Sequence, residues 1–127
     1  MEYDRRGTGK KGEDIACNFL IDNGHTILER NFRSGHLETD IISLDKNGLH
    51  FVEVKTRRPP LQAQPEENVG RKKQHHLAAA ARAYLASADK SERLGMMECF
   101  FDIISIVIDG EKIELKYLPE AFIPMYI

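Results

Sequence analysis

The stretch Leu37 to Arg57, LETDIISLDKNGLHFVEVKTR, reads as two strands folded on a tight turn. Leu37, Thr39 and Ile41 alternate with Glu38, Asp40 and Ile42, the two-residue period of a strand. Asp45-Lys46-Asn47-Gly48 follows, and Asn-Gly is the strongest short hairpin signal. Leu49 to Thr56 alternates again, with Phe51, Glu53 and Lys55 on one face and Val52 and Val54 on the other. The hairpin is the centre from which the rest of the chain is placed.

Upstream, Lys11 to Asn23 predicts a helix with Ala16, Phe19, Leu20 and Asn23 on one stripe, stopped by Asn23-Gly24. His25 to Arg33 predicts a strand. Downstream, Arg57 to Gly70 holds three prolines and predicts a long functional loop rather than a linker. Arg71 to Ala86 is rich in helix formers, with Leu77, Ala80, Ala81, Tyr84 and Leu85 on one stripe. Glu98 to Asp109, ECFFDIISIVID, predicts a central strand buried on both faces. Asp109-Gly110-Glu111 is a turn, Ile113 to Leu118 a short strand, and Pro119 to Phe122 is expected to start a last helical turn. The order αβββαββ, with an apolar strand after a helix, predicts an α/β fold with a mixed sheet and a crossover connection.

The length of 127 residues suits a single domain, with residues 1–10 expected to be flexible. A hydrophobic fraction of 42% and a charged fraction of 30% exclude disorder, collagen and coiled coil. No run approaches a membrane span, and the first 14 residues lack the apolar core of a secretory signal, so no membrane partner and a cytoplasmic location are expected. Cys17 and Cys99 are too few for a disulfide scaffold and read as small buried hydrophobes. The net charge of −2 does not announce a nucleic-acid binder. Its distribution is uneven, however: residues 1–84 carry a net +2 and residues 85–127 a net −4. Basic residues cluster at Arg5/Arg6, Lys10/Lys11, Arg30/Arg33, Arg57/Arg58 and Arg71–Lys73, which are either solvated surface or local phosphate contacts.

Asp40 and Glu53 are charged residues inside apolar strands, in the strings DII and FVEVK. If the register sets them side by side, two carboxylates and the Lys55 ammonium share one surface, an arrangement that costs free energy unless a cation compensates. The donors suit a hard divalent ion such as Mg²⁺, which is content with one or two carboxylates when phosphate and water complete its shell. Lys55 could orient or deprotonate a water or stabilise developing charge, which is the chemistry of metal-assisted phosphodiester hydrolysis. The same pattern also occurs on ordinary exposed strands. Glu13 lies on the apolar helix face with Ala16, Cys17 and Leu20, either as a third acidic member or paired with Lys10 or Lys11. His75 and His76 read as surface histidines. There is no Walker A loop, GxGxxG, Gly-x-Ser-x-Gly or zinc-finger spacing.

The strings GEDIACNFL, ILERNFR, LETDII, FVEVKTR, KKQHHLAAAARAYL and FDIISI together resemble the YraN-like family of uncharacterised bacterial proteins. That family is placed in the PD-(D/E)xK, restriction-endonuclease-like nuclease superfamily, similar to archaeal Holliday junction resolvases. The resemblance runs from about Gly9 to Phe122. It implies a restriction-endonuclease-like mixed sheet flanked by helices. It further implies Mg²⁺ or Mn²⁺ held by Glu13, Asp40 and Glu53, Lys55 assisting the water, and DNA, branched or structured, as substrate. The chain departs from the family at Leu37, where a glycine is usual, and at Phe100, where an arginine is usual before Phe-Asp. Asp102 remains and is weighed as structural over catalytic.

Phosphate contacts are expected from Arg30, Arg33, Arg57, Arg58, Lys72 and Lys73. Two rival readings stay open: a nucleic-acid-binding module of the same fold that does not cut, and a protein-interaction domain working through the acidic second half. A homodimer would cover both strands of a junction, and Ala121 to Ile127 (AFIPMYI) could supply its interface or pack on the core.

Overall fold

A computed structural model describes residues 5–60, 70–87 and 96–122. The elements are α1 (Arg5–Asp22), β1 (Thr26–Ser34), β2 (Leu37–Asp45), β3 (Gly48–Arg57), α2 (Arg71–Ala86), β4 (Cys99–Asp109) and β5 (Lys112–Phe122). The αβββαββ order is the expected one. The strands form one five-stranded sheet in the order β1-β2-β3-β4-β5. Neighbours are antiparallel except β3 and β4, which run parallel. A parallel pair needs a crossover, and α2 lies within it.

The two helices cover opposite faces. Leu77, Ala81 and Tyr84 of α2 pack on Ile42, Leu49, Phe51, Phe101 and Ile103. Ala16, Cys17 and Leu20 of α1 pack on Ile41, Val52, Ile104, Ile106 and Ile108. Alternate residues of β4 thus serve both layers, which is why its sequence shows an apolar run rather than alternation. Asp40 shares a strand face with Ile42, and Glu53 and Lys55 share one with Phe51, so these polar side chains belong to the α2 face.

Two glycines set close approaches. A Cβ on Gly12 would overlap the Thr56 side chain, so this glycine lets α1 lie against β3. Gly48, at φ 148°, has no room for a Cβ beside the Glu98 carbonyl, which accepts the Leu49 N–H at 2.9 Å. Helix α1 ends as expected: the Asn23 side-chain amide donates to the Phe19 carbonyl at 2.8 Å, and Gly24 takes φ 89°.

Several expectations are corrected. Helix α1 starts at Arg5 rather than Lys11. Strand β3 continues through Arg57, the first residue of the expected loop, of which residues 61–69 lie outside the described residues. Pro119 to Phe122 is not helical but continues β5. The pairing Phe101↔Phe122 and Ile103↔Leu118 leaves extra residues on β5, and that bulge accommodates Pro119, which has no N–H for a ladder. Ala121 and Phe122 pack on the α2-side core, and the remainder of the expected apolar tail, residues 123–127, lies outside the described residues. Cys17 is buried but Cys99 only half-buried. Burial pushes both thiols up, away from the reactive thiolate. Among the described residues, no helix is long and apolar enough to cross a membrane.

Candidate active site

The β2–β3 ladder runs from Asp45↔Gly48 to Ile41↔Val52 and stops there. One step further the register sets Asp40 opposite Glu53. Strand β2 keeps pairing with β1 as far as Ser34↔Leu37, so it leaves β3 while staying bonded to β1. The gap is bridged by a side chain: the Val54 N–H donates to Asp40 Oδ2 at 2.8 Å. The two carboxyl groups, brought face to face, therefore titrate as a pair.

The electrostatics follow from that placement. Burial, and then the charge of Glu53, push the Asp40 carboxyl up to about 7 against the pull of the Val54 N–H. Burial raises Glu53 as well, opposed by the ammonium groups of Lys73 and Lys55. Lys73 Nζ reaches Glu53 Oε1 at 3.7 Å from the first turn of α2. That turn holds Arg71, Lys72 and Lys73, no acidic residue and no side-chain cap. Three cations at a helix N-terminus oppose the helix dipole, so the end is electropositive.

Glu13 sits at the mouth of the site. Its carboxyl is raised by burial and by the Asp40 charge, and lowered by a hydrogen bond from Asn31 and the charge of Arg30. Asn31 is in the middle of β1 with φ 53°, a left-handed conformation that asparagine tolerates better than most residues. Backbone strain of this kind concentrates at functional sites. An open depression of about 580 Å³ lies here, lined by Lys10, Glu13, Arg30, Asn31, Arg33 and Glu38.

The expected site residues therefore divide. Asp40, Glu53 and Lys55 are brought together, with Lys73 against them. Glu13 is within electrostatic reach of Asp40, but the three carboxylates do not converge on one point as three ligand atoms would. Among the described residues, the group that does so is His25, Asp45 and His50. Neither Lys10 nor Lys11 is Glu13's cation: Arg30 is, at 3.9 Å, and it bonds Asp14 more closely at 2.8 Å. Arg30 is thus engaged by carboxylates, and Arg33 stands 3.8 Å from Glu38 on the surface. Arg58 and Lys72 are exposed and Arg57 is half-buried.

Asp102 lies one strand away on the opposite face, since its partner in the register is Val52. Its side chain is fully buried. Oδ2 accepts from His50 Nδ1 and the Tyr117 hydroxyl, each at 2.6 Å, and Oδ1 from the Glu120 N–H at 2.9 Å. That is a structural post holding β3, β4 and the β5 bulge together, in line with its structural reading. Sequence reasoning missed Asn31, Gly12 and the histidine cluster. The one available signal was His50, a polar residue between Leu49 and Phe51 in the apolar half of β3.

Residues 12–106 match the family model described as "Uncharacterised protein family UPF0102". A UPF0102 protein of Syntrophotalea carbinolica is 41% identical over 122 residues, covering 96% of this chain and 96% of the relative. One from Nitratidesulfovibrio vulgaris is 40% identical, covering 93% and 85%. One from Chlorobium phaeobacteroides is 36% identical, covering 96% and 98%.

Proposed function

The chain belongs to the uncharacterised protein family UPF0102, and from its site geometry we propose that it is a Mg²⁺- or Mn²⁺-dependent hydrolase of phosphodiester bonds in DNA. The observation that carries the proposal is the pair Asp40 and Glu53. Two carboxyl groups are forced together where the sheet opens, and both are raised by burial. A hard divalent cation is the group whose charge and oxygen preference suit them. Asp40 and Glu53 would hold it, and Glu13 would act from the mouth of the site through intervening water. The ion, when bound, supplies Lewis acidity toward a phosphoryl oxygen.

The chain's own groups supply the rest. Lys55, two residues past Glu53 on the same face, presents its Nζ to orient the attacking water and to offset the charge that develops on phosphate. The Lys73 ammonium, now on Glu53, is free to pass to a phosphate once a cation neutralises that carboxylate. Lys72 and the N–H groups that open α2 offer further anion contacts, as do Arg58 and Arg33 at the margins. Branched or structured DNA is the substrate class favoured by the resemblance to junction resolvases.

The test is cleavage of a labelled four-way junction and of its linear duplex in Mg²⁺ or Mn²⁺, with Asp40→Asn, Glu53→Gln and Lys55→Ala beside the wild type. The reading expects cutting that falls at least about 100-fold in each variant, the usual size of a general acid–base contribution. Equal cutting by wild type and all three variants would overturn it. Salt-dependent binding without cutting in either metal would favour a binding module instead.

A further inference from the structure

At the other end of the β2–β3 hairpin, on the α1 face, two imidazoles and a carboxylate converge. His25 Nε2 is 3.5 Å from Asp45 Oδ2, and His50 Nε2 is 2.9 Å from Asp45 Oδ1. One ligand atom from each residue lies within 4.8 Å of the other two. Two ligands about 2.0–2.1 Å from a tetrahedral ion stand roughly 3.4 Å apart. The 3.5 Å between His25 Nε2 and Asp45 Oδ2 matches such an edge, and His50 Nε2 would exchange its 2.9 Å contact with Asp45 Oδ1 for the ion.

The outer nitrogens are already fixed. His25 Nδ1 is bonded to Ser43 Oγ at 2.9 Å, and His50 Nδ1 to the buried Asp102 carboxylate at 2.6 Å. Holding Nδ1 in this way aims Nε2 and is the usual support for a metal-ligating histidine. Asp45 divides its oxygens: Oδ1 accepts the N–H groups of Asn47 at 2.9 Å and Gly48 at 3.2 Å, leaving Oδ2 turned to His25. A cavity of about 300 Å³ adjoins all three residues and leaves room for a solvent molecule as fourth ligand.

We propose that His25 Nε2, His50 Nε2 and Asp45 Oδ2 form a binding site for a borderline divalent transition ion of the Zn²⁺ class, separate from the Asp40–Glu53 site. Two imidazoles and one carboxylate select such ions over Mg²⁺, which prefers oxygen donors throughout. The ion ties the start of β1 to both strands of the hairpin and, through Asp102, to the β5 bulge.

The test is competition of the full chain with a chromophoric chelator for Zn²⁺, together with visible absorption of the Co²⁺ complex. The proposal expects one tight site, the intense d–d bands of a four-coordinate Co²⁺ ion, and a higher unfolding temperature with Zn²⁺. His25→Gln weakens Zn²⁺ binding more than 100-fold, beyond the roughly 10–100-fold cost of losing an outer partner, and Ser43→Ala falls within that range. Asp40→Asn with Glu53→Gln leaves it unchanged, and excess Mg²⁺ does not compete. His50→Gln also disturbs Asp102, so His25→Gln carries the test, with folding checked by circular dichroism. The proposal is overturned if wild type binds Zn²⁺ no better than His25→Gln, if the Asp40/Glu53 variant removes the binding, or if Zn²⁺ leaves the wild-type unfolding temperature unmoved. Each of these results would mark the cluster as a closed hydrogen-bonded network.

Discussion

Asp40 stands in for a strand partner of Val54: its Oδ2 accepts the Val54 N–H at 2.8 Å where the β2–β3 ladder has ended. The carboxylate is thereby held against Glu53 instead of turning to solvent, and its acidity is a property of the fold. In the unfolded chain it titrates near its ordinary 3.8, and in the fold near 7. The folded state therefore holds the proton more tightly across that window. Stability should be highest below about pH 4 on this account and fall as pH rises toward 7. Urea unfolding of wild type and Asp40→Asn across this range checks it. The stability difference between them should shift in favour of the variant as pH rises.

The same proton competes with a cation. Mg²⁺ or Mn²⁺ affinity should climb with pH up to about 7 and then level off, with proton release on binding. Calorimetry in buffers of different ionisation enthalpy measures the release. A flat affinity between pH 5 and 8 would contradict the assignment of Asp40 as a ligand.

Gly12→Ala should cost about 1–3 kcal/mol, because the added methyl overlaps the stiff, branched Thr56 side chain. It should also weaken the site by lifting the next residue, Glu13, from its place beside Asp40. Adding Thr56→Ala should return part of the stability, since the Thr56 Cβ stays close to the new methyl, and a double-mutant cycle in urea reads the coupling directly.

Asp102→Ala should be the most damaging of the polar substitutions, by about 3–5 kcal/mol, since it strands His50, the Tyr117 hydroxyl and the Glu120 N–H together. Tyr117→Phe removes one of those bonds and should cost about 1 kcal/mol. Denaturant midpoints separate the two.

Thr39 offers a gain. Its side chain is fully buried, and its hydroxyl is the buried side-chain polar group without a hydrogen-bond partner among the described residues. Thr39→Val keeps the shape and removes that cost, so stability should rise by about 1 kcal/mol.

The fold was legible because its signals are local. The alternation on either side of Asn47-Gly48 specifies the hairpin, and the largely apolar stretch Cys99 to Ile108 specifies a strand covered on both faces. The Pro119 to Phe122 segment misled because a bulge on an edge strand can hold a proline that a local reading assigns to a helix start. Asp40, Glu53 and Lys55 were visible as charges inside apolar strands. Glu13's true cation was not, because Arg30 reaches it across the α1–β1 packing and no sequence spacing encodes that contact. The histidine cluster escaped for the same reason: His25, Asp45 and His50 meet only once register, turn and helix end are all in place.

The parallel pairing of β3 with β4 has one more outcome. The connection that makes it possible leaves β3 at Arg57, two residues past Lys55, and rejoins the described fold at α2, whose Lys73 touches Glu53. Both described anchors of that connection stand beside the carboxylates. The crossover that makes the parallel pair possible therefore also delivers the Lys73 ammonium to Glu53, so one connection serves both the sheet's topology and the charge balance of the carboxylates.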